Sequence, residues 1–223
     1  MENEFKPFYP KKPDSRYIKP KKCRDIPDKL LKYKNAELLA NEILIDQDSR
    51  HFVILDGTFI FGDFIEALCV VKNYHVKEML ISTLSLSVEN VESLRNLIAG
   101  NYVESLSLVV SDYFFSHERN NLIKLLYQRL DIGDKFQLSS ASTHCKICQF
   151  ETFCGLKIVI HGSANLRSSS NIEQIVIEES KELYNFNYEI HKSISEKYKT
   201  INKSLRNKQL WQAVVTEKIE GND

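Results

Sequence analysis

The chain has 223 residues, 43% of them hydrophobic and 27% charged, which is ordinary globular material with enough apolar content for a sizeable core. Its formal net charge is zero, so overall charge argues for neither nucleic acid nor membrane, and only local charge could. No apolar run approaches the roughly 20 residues that a bilayer span needs, and the polar, basic first residues lack the apolar stretch of a secretory signal. Five cysteines (Cys23, Cys69, Cys145, Cys148 and Cys154) are an odd number for a disulfide framework, so free thiols in a reducing, cytoplasmic compartment are expected.

All five prolines (Pro7, Pro10, Pro13, Pro20 and Pro27) fall in residues 1–27, among Lys6, Lys11, Lys12, Arg16, Lys19, Lys21, Lys22 and Arg24. Prolines remove backbone donors and hold a chain extended, so 1–27 reads as an arm. It either touches phosphates or a partner, or packs as a solvated leader. A domain over 28–180 follows. A helix is expected over 30–45, a short β-rich run in 51–61 and a helix over 63–73. Next come a strand over 78–87 and a helix over 88–101, with Ser87 as N-cap and Gly100 closing it. A strand over 105–114 leads to an amphipathic helix over 117–133, whose Leu122, Leu125, Leu126 and Leu130 are spaced by three and four. Three strand-like segments with short turns complete the domain, and 181–223 reads as a polar, helical extension in which Trp211 is a candidate anchor. No internal repeat is visible. The alternation predicts an α/β fold, a mixed, largely parallel sheet flanked by helices, with an antiparallel element near its C-terminal end. Functional groups in such sheets gather at strand ends.

The chemistry concentrates in the segment THCKICQFETFCGLKIVIHGSANLRSSSNIEQIVIEES. In a strand, residues two apart share a face, which pairs His144 with Lys146 and Ser163 with Asn165. A turn at 151–155 would fold the two strands into a hairpin and bring the pairs side by side. An imidazole, an ammonium, a hydroxyl and an amide then converge without paired carboxylates or a metal cage. That set suits a phosphodiester: Lys, Ser and Asn clamp non-bridging oxygens, and His attacks or transfers a proton.

These residues resemble the phospholipase D superfamily, whose signature is H-x-K-x4-D followed by G-S-x-N. Here His144-x-Lys146 leads to Glu151 where the family has Asp, then to Gly162-Ser163-x-Asn165, with Asn171 and Glu173 where a supporting acidic residue often stands. About four extra residues between Glu151 and Gly162 are expected in the hairpin turn. The resemblance implies a phospholipase D-like fold and a metal-independent phosphodiester hydrolase, with His144 as nucleophile. Lys146, Ser163 and Asn165 would hold the phosphate, Glu173 would support the His, and Gly162 and Glu151 would serve the motif's structure. It calls for no cofactor and no metal. The family's active site needs two such motifs, so a chain carrying one implies a homodimer whose two His144 side chains meet across a two-fold axis. A short chain with a basic arm looks like the nuclease branch acting on DNA, with Lys157 and Arg167 as candidate substrate contacts and no membrane partner. Glu151 and the longer hairpin equally suit a catalytically degenerate nucleic-acid- or partner-binding module. A phospholipid substrate is a third possibility.

Cys145, Cys148 and Cys154, flanked by His144 and His161, have the composition of a rival zinc site. Residues three apart in a β-rich run point to opposite faces, so buried free thiols are the simpler reading. His161 could face the site or the opposite layer. His51, His75, His117 and His191 carry no ligand-like spacing.

Overall fold

The computed structural model describes residues 28–57, 59–167, 171–197 and 199–200. The arm at 1–27 with Cys23, and the tail with Trp211, lie outside the described residues.

Among the described residues eight strands form one sheet: β1 (Arg50–Leu55), β2 (Val76–Thr83), β3 (Leu106–Ser111), β4 (Phe136–Ala141), β5 (Ile147–Thr152), β6 (Lys157–Gly162), β7 (Glu173–Glu179) and β8 (Lys199–Thr200). Their order across the sheet is β1-β7-β6-β5-β2-β3-β4-β8. Only the β2–β3 and β3–β4 pairs are parallel. The α/β architecture is as expected, but the expected predominance of parallel pairs is corrected: the sheet is mostly antiparallel. Parallel neighbours need a crossover connection of a dozen or more residues. Helix α3 (Val88–Ala99) supplies one between β2 and β3, and α4 (Asp112–Glu118) with α5 (Leu122–Leu130) supplies the next. β5 and β6 are joined by a tight turn in which Thr152 N–H donates to the Leu156 carbonyl at 3.0 Å, so they can only return antiparallel. Gly155, at φ +92, takes the left-handed position that such a turn requires. Glu151 lies opposite Lys157 inside the ladder, so the turn itself spans 153–156.

The pairings give β1, β2, β3, β4 and β6 one direction and β5, β7 and β8 the other. Five strands therefore finish, and β5 and β7 begin, at the same edge. Helices α1 (Asp28–Glu42), α2 (Phe61–Val71), α3 and α5 cover one sheet face and share its core with Val53, Ile81, Leu108, Leu138, Phe150 and Ile177. The sequence of α2, FGDFIEALCVV, is apolar nearly all round because the helix lies between α1 and α3. Its two carboxylates are nonetheless satisfied: Ser93 donates to Asp63 at 2.7 Å and Asn96 to Glu66 at 3.0 Å. The other face is more polar, and α6 (Lys181–Lys197) packs on it, with Gln149 donating to the Tyr184 carbonyl at 3.3 Å.

Two boundaries differ from expectation. The strand expected over 105–114 stops at Ser111, whose hydroxyl accepts from Phe114 N–H at 3.1 Å and starts α4. The single helix expected over 117–133 is interrupted at 119–121, where Asn120 and Asn121 favour a turn. Ser87 and Gly100 do bound α3, and Asn90 Oδ1 accepts from Ser87 N–H at 2.9 Å. No described helix is long and apolar enough to cross a membrane.

Candidate active site

His144 and Lys146 stand just ahead of β5 rather than within it, in the extended connection from β4. His144 is exposed, and the Lys146 ammonium donates to the His144 carbonyl at 3.2 Å. Ile147 pairs with His161 across β5–β6, and one residue on, Gly162 N–H donates to the Lys146 carbonyl at 3.3 Å. The H-x-K and G-S-x-N segments are thus neighbours at the edge where β6 ends. Gly162 is required there by close approach: a Cβ would collide with the Gln174 carbonyl oxygen and reach the Ile175 Cα at 2.9 Å.

Past Gly162 the chain is stitched down residue by residue. Ser163 N–H donates to the Gln174 carbonyl at 2.9 Å, and the Gln174 N–H returns a 3.0 Å bond to the Ser163 oxygen. The Ser163 hydroxyl in turn donates to the Glu173 carboxylate. Asn165 Oδ1 accepts from Leu84 N–H at 3.2 Å, a bond that engages the acceptor half of the amide and not its NH2 donors. The N–H of buried Leu166 donates to Thr83 Oγ1 at 3.3 Å, while its carbonyl accepts from Gly62 N–H at 3.2 Å. Thr83, Leu84 and Gly62 are positioning residues that sequence reading missed. Nothing in their local pattern marks them, because they meet the motif only through the packing of β2 and α2 against it.

The sequence-derived candidates divide by strand end. Arg167, Asn171, Glu173 and Asn165 line one small cleft of about 10 Å³, space for one water, with Leu55, Gly57 and Phe59. Glu173, expected to support His144, has its carboxylate on Ser163 instead. Lys157 lies at the opposite end of β6, where its ammonium donates to Asn185 at 2.9 Å and sits 4.7 Å from the Tyr184 ring centroid. That end of the strand cannot serve the edge where β6 finishes, so Lys157 does not join the constellation. Glu151 is also remote: it pairs with Lys77 at 3.0 Å, five residues along β5 from Lys146. Its extra methylene therefore bears on that ion pair and not on the lysine at the edge.

His161 resolves to the opposite layer. Its Nε2 lies 3.0 Å from Glu178, which Arg50 also grips at 2.6 Å and 2.8 Å. Burial raises the Glu178 carboxyl, but the hydrogen bonds and charge of His161 and Arg50 outweigh it and hold the group below its ordinary range. The cysteines disperse. Cys148 is buried in the core, Cys145 is exposed beside His144, and Cys154 is exposed near the hairpin turn at the far end. Among the described residues no three His, Cys, Asp or Glu side chains converge as a metal site.

An exposed imidazole, an ammonium, a carboxylate-bound hydroxyl and an amide are carried on two segments that meet where β6 ends. No protein-family model and no curated protein matches the sequence. Solved structures do match. Nuc, a phospholipase D family member from Salmonella typhimurium, is similar with a TM-score of 0.51 and 12% identity, over 69% of this chain and 98% of its own. A polyphosphate kinase from Porphyromonas gingivalis is similar with a TM-score of 0.51 and 11% identity, 68% of this chain matching 26% of that one. The chain has a phospholipase D-like fold.

Proposed function

We propose that the protein is a metal-independent phosphodiester hydrolase acting on nucleic acid, as a homodimer. The observation that carries this reading is the adjacency of Lys146 and Gly162, which sets His144-x-Lys146 beside Gly162-Ser163-x-Asn165 at one edge. The His144 imidazole attacks phosphorus and the bond to the leaving oxygen breaks, giving a phosphohistidine. The partner subunit's His144 protonates that oxygen. The partner's His144, now neutral, takes a proton from water as that water attacks phosphorus, the nitrogen–phosphorus bond breaks, and a phosphate monoester leaves. Lys146 and the Asn165 amide offset charge on the non-bridging oxygens, while Glu173 orients Ser163. His144 and Ser163 are exposed and the adjoining cleft admits about one water, which suits half a site that a second copy completes.

The test is hydrolysis of bis(p-nitrophenyl) phosphate and of DNA in EDTA, with sedimentation on the same preparation. Wild type is expected to sediment as a dimer and cleave in EDTA, and His144→Ala to lose about 10³-fold or more. A monomer that cleaves, or activity abolished by EDTA, would overturn the mechanism. A second reading, a non-catalytic nucleic-acid-binding module, draws on Ser163 and Asn165 being bonded to the protein itself. Binding without cleavage, unchanged by His144→Ala, would select it.

A further inference from the structure

Beside the candidate site lies a groove of about 1250 Å³, walled by the start of α3 on one side and by α4 and α5 on the other. It is larger than the roughly 300–1,000 Å³ typical of small-molecule sites, which favours a stretch of polymer. It is also continuous with the site. Arg167 lines both the groove and the cleft of Asn165 and Glu173, and groove residue Leu84 is the one whose N–H donates to Asn165.

The lining decides which polymer. Tyr113 is 71% exposed, and its ring lies 3.9 Å from that of His117 at 30°. The His117 Nδ1–H donates to the Tyr113 carbonyl at 2.8 Å and fixes this aromatic pair one helical turn apart. Asn120 and Gln128 line the same groove. Charges in the lining balance, Lys124 and Arg167 against Glu89 and Glu118. Bases in a duplex are already paired and stacked on one another, so an exposed ring in a groove has no face of theirs to meet. Unpaired bases are held differently, by stacking on aromatic side chains and by hydrogen bonds to their exposed edges.

We infer that the groove receives the bases of a single-stranded polynucleotide, with Tyr113 as the stacking platform, while the adjoining phosphate lies at the His144 and Asn165 edge. This rests on the phosphodiester reading of that edge. The break between α4 and α5 then has a purpose, since it turns Asn120 toward the groove instead of continuing one smooth helix.

The experiment is fluorescence anisotropy in EDTA with labelled single-stranded DNA, single-stranded RNA and duplex DNA of one sequence. His144→Ala protein keeps the strands intact during the measurement. Single strands are expected to bind more tightly than duplex, and the DNA-to-RNA ratio assigns the polymer. Adding Tyr113→Ala should weaken single-strand binding by about tenfold or more, and Tyr113→Phe by no more than about twofold, since the ring is retained. Gln128→Glu, an exposed change that does not touch the core, should also weaken it by repelling the backbone. Duplex bound as tightly as single strand, or affinity indifferent to Tyr113→Ala and Gln128→Glu, would overturn the inference. The two readings fail separately. Tyr113-dependent strand binding with no cleavage of any diester by wild type removes the hydrolase alone. His144-dependent hydrolysis of bis(p-nitrophenyl) phosphate without strand binding removes the groove alone.

Discussion

Asn165 works in two directions at once. Its Oδ1 holds the N–H of Leu84 at the end of β2, and in the proposed site its NH2 serves the phosphate. Removing the side chain would orphan a partly buried donor at a cost of about 1–3 kcal/mol, so loss of activity in Asn165→Ala would mix folding with chemistry. Asn165→Asp separates them. The carboxylate still accepts from Leu84, so the urea midpoint is expected to stay within the equivalent of about 0.5 kcal/mol. It also loses the donor and places negative charge beside the phosphate, so kcat/KM should fall about a hundredfold or more. Unaltered turnover in that variant would remove Asn165 from the phosphate clamp. Ser163 is similarly double-sided, accepting from Gln174 N–H while donating to Glu173. Of this arrangement, the residue types and their spacing were legible in the sequence. The partners were not, because Leu84, Thr83 and Gly62 are about 80 to 100 positions away along the chain.

At the level of elements, the break in the expected 117–133 helix has the largest consequence. α4 is only seven residues long, too short to hold itself together, so it depends on its cap and on Phe114 and Phe115 in the core. Ser111→Ala removes the bond to Phe114 N–H and is expected to cost about 1 kcal/mol in urea unfolding. Because Tyr113 and His117 ride on α4, the same variant should weaken single-strand binding without altering any groove side chain. If unfolding is unaffected, the cap is not what anchors α4. The amphipathic spacing of Leu122 to Leu130 correctly announced a helix, and the Asn120–Asn121 pair is where a turn competed with it. Periodicity reports which face is buried, but it does not report that a helix restarts.

For the molecule as a whole, two groups on the α6 side of the sheet make stability depend on pH. Helix α6 carries His191, buried at 5% exposure, with its Nδ1 3.3 Å from the Asn187 carbonyl and burial lowering its pKa below the ordinary 6.5. A depressed imidazole is neutral in the fold while the unfolded chain takes up a proton below about 6.5, so stability falls as the solution is acidified. The slope should approach but not exceed about 1.4 kcal/mol per pH unit for this one group. Glu178, whose pKa is also depressed, adds a second loss only lower down, as pH drops through the acid side of the carboxylate range. His191→Gln should therefore flatten the urea-measured decline between about pH 7 and pH 5.5, leaving the lower loss intact. Parallel profiles for variant and wild type would show that the histidine is not the sensor. By itself the sequence determined the α/β class, the core helices and strands, and the four phosphate-suited residue types, since periodicity and motif spacing are local properties. Only the tertiary structure decided that the sheet is mostly antiparallel, that Lys157 and Glu151 lie at the wrong strand ends, and that the proposed site adjoins an aromatic groove. Each of those depends on strand direction and register, which are set by long-range pairing and crossover length. The proposed site is local in sequence, but the groove beside it is assembled from segments that meet only in the fold.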